Sequence, residues 1–164
     1  MKGILKGLAT TVKTMLRSPV TVQYPKEHLP MAPRFMGFPG LLWDDIIDES
    51  KCVGCQVCAR YCPTDCIYVT MMDNPKHKEG VSKRKKMVED FKLDISRCIV
   101  CGICVEVCNF DAIVMTHEHE IGKLGRRALW ADIDTLHEMG RHYEVQMGMV
   151  ASADSANEGG EEAQ

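Results

Sequence analysis

The first eighteen residues, "MKGILKGLATTVKTMLRS", place apolar and basic side chains in an order that returns every three to four positions. At 100° per residue, Ile4, Leu5, Leu8, Val12, Met15 and Leu16 fall within an arc of about 120°, and Lys2, Lys6, Lys13 and Arg17 within about 60° on another side. The pattern predicts an amphipathic helix over residues 1 to 18, ended at Ser18 because the residue before Pro19 avoids the helical region. At 1.5 Å per residue it is roughly 24 Å long, too short and too charged to cross a bilayer but suited to lying on an interface or a partner. The plainer alternative is a helix packed on its own domain. Beyond it the period is lost: Pro19, Pro25, Pro30, Pro33 and Pro39 break up residues 19 to 50, which predicts an extended assembly segment with little core of its own. Residues 51 to 115 form a cysteine-rich core containing two β-prone runs. Residues 116 to 150 read as a C-terminal extension with a helix from about Asp132 to Tyr143, and residues 151 to 164 as a disordered acidic tail.

Composition changes the picture at one point. Aromatic residues are 6% and nine of the 164 residues are cysteine, so covalent or metal crosslinks are expected to replace part of a core that one small domain with appendages lacks. No apolar run approaches the roughly 18 residues of a membrane span, and the N-terminus lacks the apolar stretch and cleavage site of a secretory signal. A reducing, cytoplasmic setting is therefore expected, in which close-spaced cysteines are better metal ligands than disulfide partners. Net charge is −3, but residues 51 to 115 hold ten Lys/Arg against eight Asp/Glu. The basic excess lies in an insertion over residues 74 to 90, around "KHKEGVSKRKK". It reads either as a docking surface for an anionic partner or as a solvated loop.

The cysteines repeat. "CVGCQVCARYCP", from residue 52, recurs 46 residues on as "CIVCGICVEVCN", and the match continues from "PTDCIYV" to "NFDAIVM". Two like halves, each a loop of three cysteines, a fourth cysteine expected to open a short helix, and a β-prone run, predict an α+β fold with pseudo-twofold symmetry. The spacing CxxCxxCxxxC is the bacterial ferredoxin pattern, in which the fourth cysteine ligates the other cluster. Cys52, Cys55, Cys58 and Cys108 are thereby assigned to one [4Fe-4S] cluster, and Cys98, Cys101, Cys104 and Cys62 to a second. Four thiolates also suit zinc, although zinc motifs usually come as separated CxxC pairs; a disulfide framework is the remaining alternative.

Nothing else points to bond-making chemistry, so no catalytic residue is assigned. His117 and His119 in "HEHE" read as an exposed polar turn, and His137 and His142 as surface histidines on the last helix. Cys66, aligned with Ala112, reads as a small buried thiol, with a redox or replacement-ligand role as the alternative.

With both cysteine runs in view, and with "SPVTVQYP" (residues 18 to 25) and "APRFMG" (residues 32 to 37) ahead of them, the chain resembles the two-[4Fe-4S] ferredoxin-like subunit, subunit I, of respiratory complex I. The resemblance runs to about residue 115. It implies an electron-transfer subunit of a proton-translocating NADH:quinone oxidoreductase, peripheral to the cytoplasmic side of the cell membrane. Electrons from NADH would pass through two [4Fe-4S] clusters toward the terminal cluster of a neighbouring subunit, where quinone is reduced. Implied partners are the other complex I subunits, that neighbour and the membrane arm among them, and no nucleic acid. The sequence departs from the family where Asn109 replaces the usual proline after the second run, in "FPGLLWDDIIDES", in the basic insertion and beyond Thr116. Asn109 is expected to add an N–H and an amide able to reach sulfur. The iron-sulfur subunit of a membrane-bound hydrogenase or ferredoxin-oxidising complex, and a free two-cluster ferredoxin, would share the cysteine core.

Overall fold

The computed structural model of the chain describes residues 2 to 149; the acidic tail expected over residues 151 to 164 lies outside them. The chain divides into two compact units, one up to Ala32 and one from Pro33 onward.

In the first unit the apolar period produces helix α1, Lys2–Met15. Thr10, Thr11 and Thr14 turn their hydroxyls back onto the carbonyls of Lys6, Leu8 and Thr10, so these β-branched polar residues satisfy themselves within the helix. No α1 residue is buried, and Leu5, Leu8, Ala9, Val12 and Leu16 line a shallow apolar groove along it.

The second unit is α+β. Strands β1 (Pro39–Leu41), β2 (Trp43–Asp44) and β3 (Glu49–Ser50) lead to helix α2 (Val57–Tyr61) and strand β4 (Ile67–Asp73). Helix α3 (Pro75–Lys78), strand β5 (Lys86–Asp94), helix α4 (Ile103–Glu106) and strand β6 (Ile113–Met115) follow, and a 3-10 turn at Arg126–Leu129, strand β7 (Trp130–Ala131) and helix α5 (Ile133–Gln146) complete it. Two antiparallel pairings express the repeat: Ile67 lies opposite Leu93 in β4 and β5, and Ile113, which aligns with Ile67, lies opposite Leu41 in β6 and β1. Leu41, Phe91, Leu93 and Leu136 are the largest sealed apolar side chains, and six of the repeat cysteines pack partly buried around that core.

Asp132, bonding the Thr135 N–H, caps α5, which buries Leu136, Met139, Gly140 and Glu144 on one face. A Cβ on Gly140 would lie 2.0 Å from the Leu41 carbonyl oxygen, and one on Gly40 would lie 2.7 Å from the Gly140 nitrogen. Only glycine lets this helix rest directly on the backbone of β1.

Two expectations change. The extended segment read over residues 19 to 50 is divided: Leu41 is sealed in the core, and β2 and β3 pair as a hairpin just ahead of Cys52. Proline density suggested a linker throughout, but Pro39 opens a strand, where a missing N–H is tolerated. The basic insertion is also more than a solvated loop. Its Arg84 grips Glu49 (2.7 Å) and Asp44 (3.0 Å), Ser82 donates to Glu49 at 2.6 Å, and buried Asn74 donates to Glu49 at 3.0 Å. Lys76 bonds the Ile47 and Asp48 carbonyls, so part of the positive run clasps the β2–β3 hairpin while Lys78, Lys83 and Lys85 remain exposed.

Candidate metal centre

Each cysteine run folds as a loop leading into a short helix, α2 carrying Cys58 and α4 carrying Cys104. The fourth cysteine does not open the next helix, as the sequence suggested. Cys62 caps the C-terminus of α2, and Cys108 follows the cap of α4 at Val107. The turn into the strand that follows is made by Asp65 and Asp111, both with positive φ, so no second helix forms.

The left-handed positions repeat with the cysteines. Gly54 and Val100 pair across the halves, as do Gln56 and Gly102, and Asp65 and Asp111. Val100 is a β-branched residue at φ 53°, where the left-handed region costs about 1–2 kcal/mol, so the loop imposes this shape against local preference. The result is a backbone whose N–H groups turn inward toward sulfur. Gly54 N–H bonds Cys52 Sγ at 3.4 Å, and Val100 N–H bonds Cys98. Cys66 N–H bonds Cys62 Sγ at 3.5 Å, and Ala112 N–H bonds Cys108 Sγ at 3.4 Å. Such concavities of amide donors favour anionic groups, and thiolate-bound iron is one. Asn109 makes no hydrogen bond to sulfur among those described; the N–H reaching Cys108 belongs to Ala112.

Two cavities lie between the runs. One is lined by Cys52, Cys55, Cys58 and Cys108 among apolar side chains that include Val53, Phe91 and Phe110. The other is lined by Cys98, Cys101, Cys104 and Cys62, with Cys66 at its wall. Each cavity thus takes three cysteines from one run and the fourth from the other. Tetrahedral zinc would need its four sulfurs about 3.8 Å apart. Among the described residues no three His, Cys, Asp or Glu side chains are gathered tightly enough for a single ion. Four cysteines lining one cavity at wider spacing suit a larger, polynuclear group.

Burial pushes the Cys52 thiol up to about 11, Cys58 to about 12 and Cys104 to about 11, neighbouring sulfurs adding to the rise. These groups are protonated near neutrality without metal, so a metal held by them would displace protons. Cys98 moves the other way, because the Cys66 thiol hydrogen-bonds to it.

The histidines divide. His117 is half-buried between Phe35 and Tyr143, not in an exposed turn, whereas His119 is exposed. His142 is on the surface as expected, bonding Glu118 at 2.7 Å. His137 is not: half-buried and edge-on to Trp43, its Nε2 lies 2.9 Å from Ser50 Oγ, which in turn accepts the Cys52 N–H. Ser50 and Thr64, whose hydroxyl lies 3.5 Å from Cys62 Sγ, are polar neighbours of the cysteines that the sequence reading passed over. Comparing "PTDC" with "NFDA" position by position would have singled out Thr64, which faces Phe110 in the repeat.

Residues 51–112 match the family described as 4Fe-4S dicluster domain. The chain is 43% identical over 79 residues, 48% of its length, to "NADH-quinone oxidoreductase subunit I 2" of Streptomyces coelicolor, of which the match covers 34%. It is 41% identical over 75 residues, 46% of its length, to the protein of the same name from Cereibacter sphaeroides, of which it covers 45%. The matched stretch is thus less than half the length of either relative. Among solved structures, the "membrane-bound sulfane sulfur reductase (MBS), an archaeal respiratory membrane complex" includes a chain with a TM-score of 0.46 and 23% identity, over 88% of this chain and 67% of that one. The cysteine core, residues 51–112, is similar to 4Fe-4S dicluster domains and to that of subunit I of NADH-quinone oxidoreductase, and it holds two [4Fe-4S] clusters.

Proposed function

We propose that the chain is an electron-transfer subunit of an NADH-quinone oxidoreductase. It sits at the cytoplasmic face of the membrane and relays electrons from NADH toward the quinone-reducing terminal cluster of a neighbouring subunit. Cys52, Cys55, Cys58 and Cys108 would ligate one [4Fe-4S] cluster, and Cys98, Cys101, Cys104 and Cys62 the other. The observation that carries this assignment is the composition of the two cavities, each lined by three cysteines of one run and the fourth of its repeat. When bound, an iron-sulfur cluster accepts and releases single electrons without making or breaking a substrate bond. The chain's own task is positional. Its thiolates fix the iron, its inward N–H groups offset negative charge, and Leu41, Val69, Phe91 and Ile113 keep water from the first cavity.

The apolar groove on α1 supports a docking role for the N-terminal unit within the complex. Among the described residues no helix is long and apolar enough to cross a membrane, which fits attachment through partner subunits.

Cys62→Ser decides the ligand assignment. The variant is expected to damage the cluster held by Cys98, Cys101 and Cys104, although Cys62 belongs to the other run; EPR damage confined to the Cys52, Cys55 and Cys58 cluster would overturn it. Isolation of the native assembly in mild detergent tests the wider reading, a quinone-reductase set of subunits being expected and a nickel-iron hydrogenase set refuting it.

A further inference from the structure

Because the two halves superimpose in sequence at a constant offset, their backbone donors cancel when the halves are compared. Gly54 answers Val100, and Cys66 N–H answers Ala112 N–H. The side chains do not cancel. In the first half the residues two and four positions after the fourth cysteine are Thr64 and Cys66; in the second they are Phe110 and Ala112. Thr64 Oγ1 lies 3.5 Å from Cys62 Sγ, and Cys66 Sγ lies 3.4 Å from it. Among the described residues no hydroxyl or thiol outside the four cysteines of its cavity bonds Cys108, whose surroundings are the Phe110 ring and the Ala112 methyl. Solvent adds to the contrast, since Cys101 is exposed and its counterpart Cys55 is half-buried.

A cysteine sulfur bound to iron carries no hydrogen. Against such a sulfur Thr64 and Cys66 have one role open to them, that of donor. Donors to sulfur and access to solvent both stabilise the reduced, more negative state, and so raise a reduction potential. Resting on the proposed ligand assignment, we infer that Thr64 and Cys66 make the site of Cys62, Cys98, Cys101 and Cys104 the higher-potential of the two. An electron shared within the chain then resides mainly there. The exchange moves one electron, oxidising one site and reducing the other, with no proton or bond change. Cys66 is thereby a tuning residue and neither an inert filler nor a spare ligand.

The test uses the full chain loaded with both clusters, titrated potentiometrically with EPR detection, with Cys101→Ser identifying which signal belongs to which site. Thr64→Val with Cys66→Ala is expected to keep eight iron and eight sulfide per chain and to lower the potential of the Cys62 site alone. The expected change is about tenfold in the equilibrium constant for electron sharing, or 59 mV for one electron. The reciprocal variant Phe110→Thr should raise the Cys108 site. Unchanged potentials, or a Cys62 site already the lower of the two in the native chain, would overturn the inference. Loss of iron in Cys66→Ala would overturn it too, by making Cys66 a ligand. Failure of the ligand assignment itself is read separately, from which signal Cys62→Ser destroys.

Discussion

Up to Ala32 none of the described residues is buried, whereas from Pro33 onward the chain closes on Leu41, Phe91, Leu93 and Leu136, each 2% exposed or less. Both parts contain a 14-residue helix, α1 and α5. The difference lies in what their apolar faces meet: α5 rests on β1 through Gly140, while Leu5, Leu8 and Leu16 of α1 remain more than half exposed. A helix of this length is marginal by itself in water, and the open apolar face is what the proposed docking role would cover. The contrast separates residues that hold the cysteine core together from residues proposed to serve assembly.

The largest effect is expected at the close contact of α5. Gly140→Val drives side-chain carbon into the Leu41 carbonyl and should cost at least about 3 kcal/mol, read as a lowered urea midpoint of the cluster absorption. Gly7→Ala on α1, where an added Cβ meets nothing within 4 Å, should leave that midpoint unchanged while raising helicity. Equal effects from the two substitutions would erase the distinction between the units.

Next in size is the clasp on the β2–β3 hairpin. Glu49→Ala leaves Asn74 and Ser82 buried without their acceptor, and Arg84 without one of its two carboxylates. Because Arg84 is partly exposed and keeps Asp44, the cost should be about 2 kcal/mol, less than for a fully buried pair. Burial pushes the Glu49 carboxyl up, but bonds from Ser82, Asn74 and Arg84 together outweigh it and hold the group below the usual carboxylate range. The clasp should therefore be intact near neutrality and be lost as acid reaches the lowered folded value, a transition that Glu49→Gln would remove from the pH dependence of stability.

A smaller acid effect belongs to His137. Burial holds its imidazole below the ordinary range against the raising pull of Asp134, so the unfolded chain takes up the proton first. Its contribution is full above about pH 6.5 and declines as pH falls toward the folded value. His137→Gln should flatten that limb of the stability curve.

The smallest effect on the chain's own stability is expected for Leu8→Asp with Val12→Asp. Both side chains are exposed, so the unfolding midpoint should move by no more than about 0.5 kcal/mol and the iron content should stay the same. Assembly into the complex should nevertheless be lost, because docking would bury two unpaired carboxylates. Normal incorporation would show that the open face of α1 is not a docking face.

What could be read from the sequence was local. The helical period of α1, the start of the last helix near Asp132 and the doubled cysteine spacing each state their structure within a few residues. The misread features depend on partners distant along the chain. Glu49 is 35 residues from Arg84, and Ser50 is 87 from His137, so neither the clasp nor the burial of that histidine leaves a periodic trace. The placement of the fourth cysteine was missed for another reason. A left-handed aspartate at residues 65 and 111 turns the chain, and only the first turn carries a proline, Pro63, to mark the spot. Asn109 suggests a donor because its identity departs from a motif, but a departure in identity says nothing of where the side chain points.

The crossed composition of the two cavities has a consequence for how the chain matures. A fragment ending inside the insertion would carry three cysteines of one cavity and one of the other, and so would its complement. Neither piece contains a complete site, yet the two together contain both. On the proposed ligand set, filling either cavity staples the halves in the arrangement that the second cavity needs. Loading becomes a concerted event, and a population given too little iron should divide into empty and doubly filled chains rather than accumulate half-filled ones.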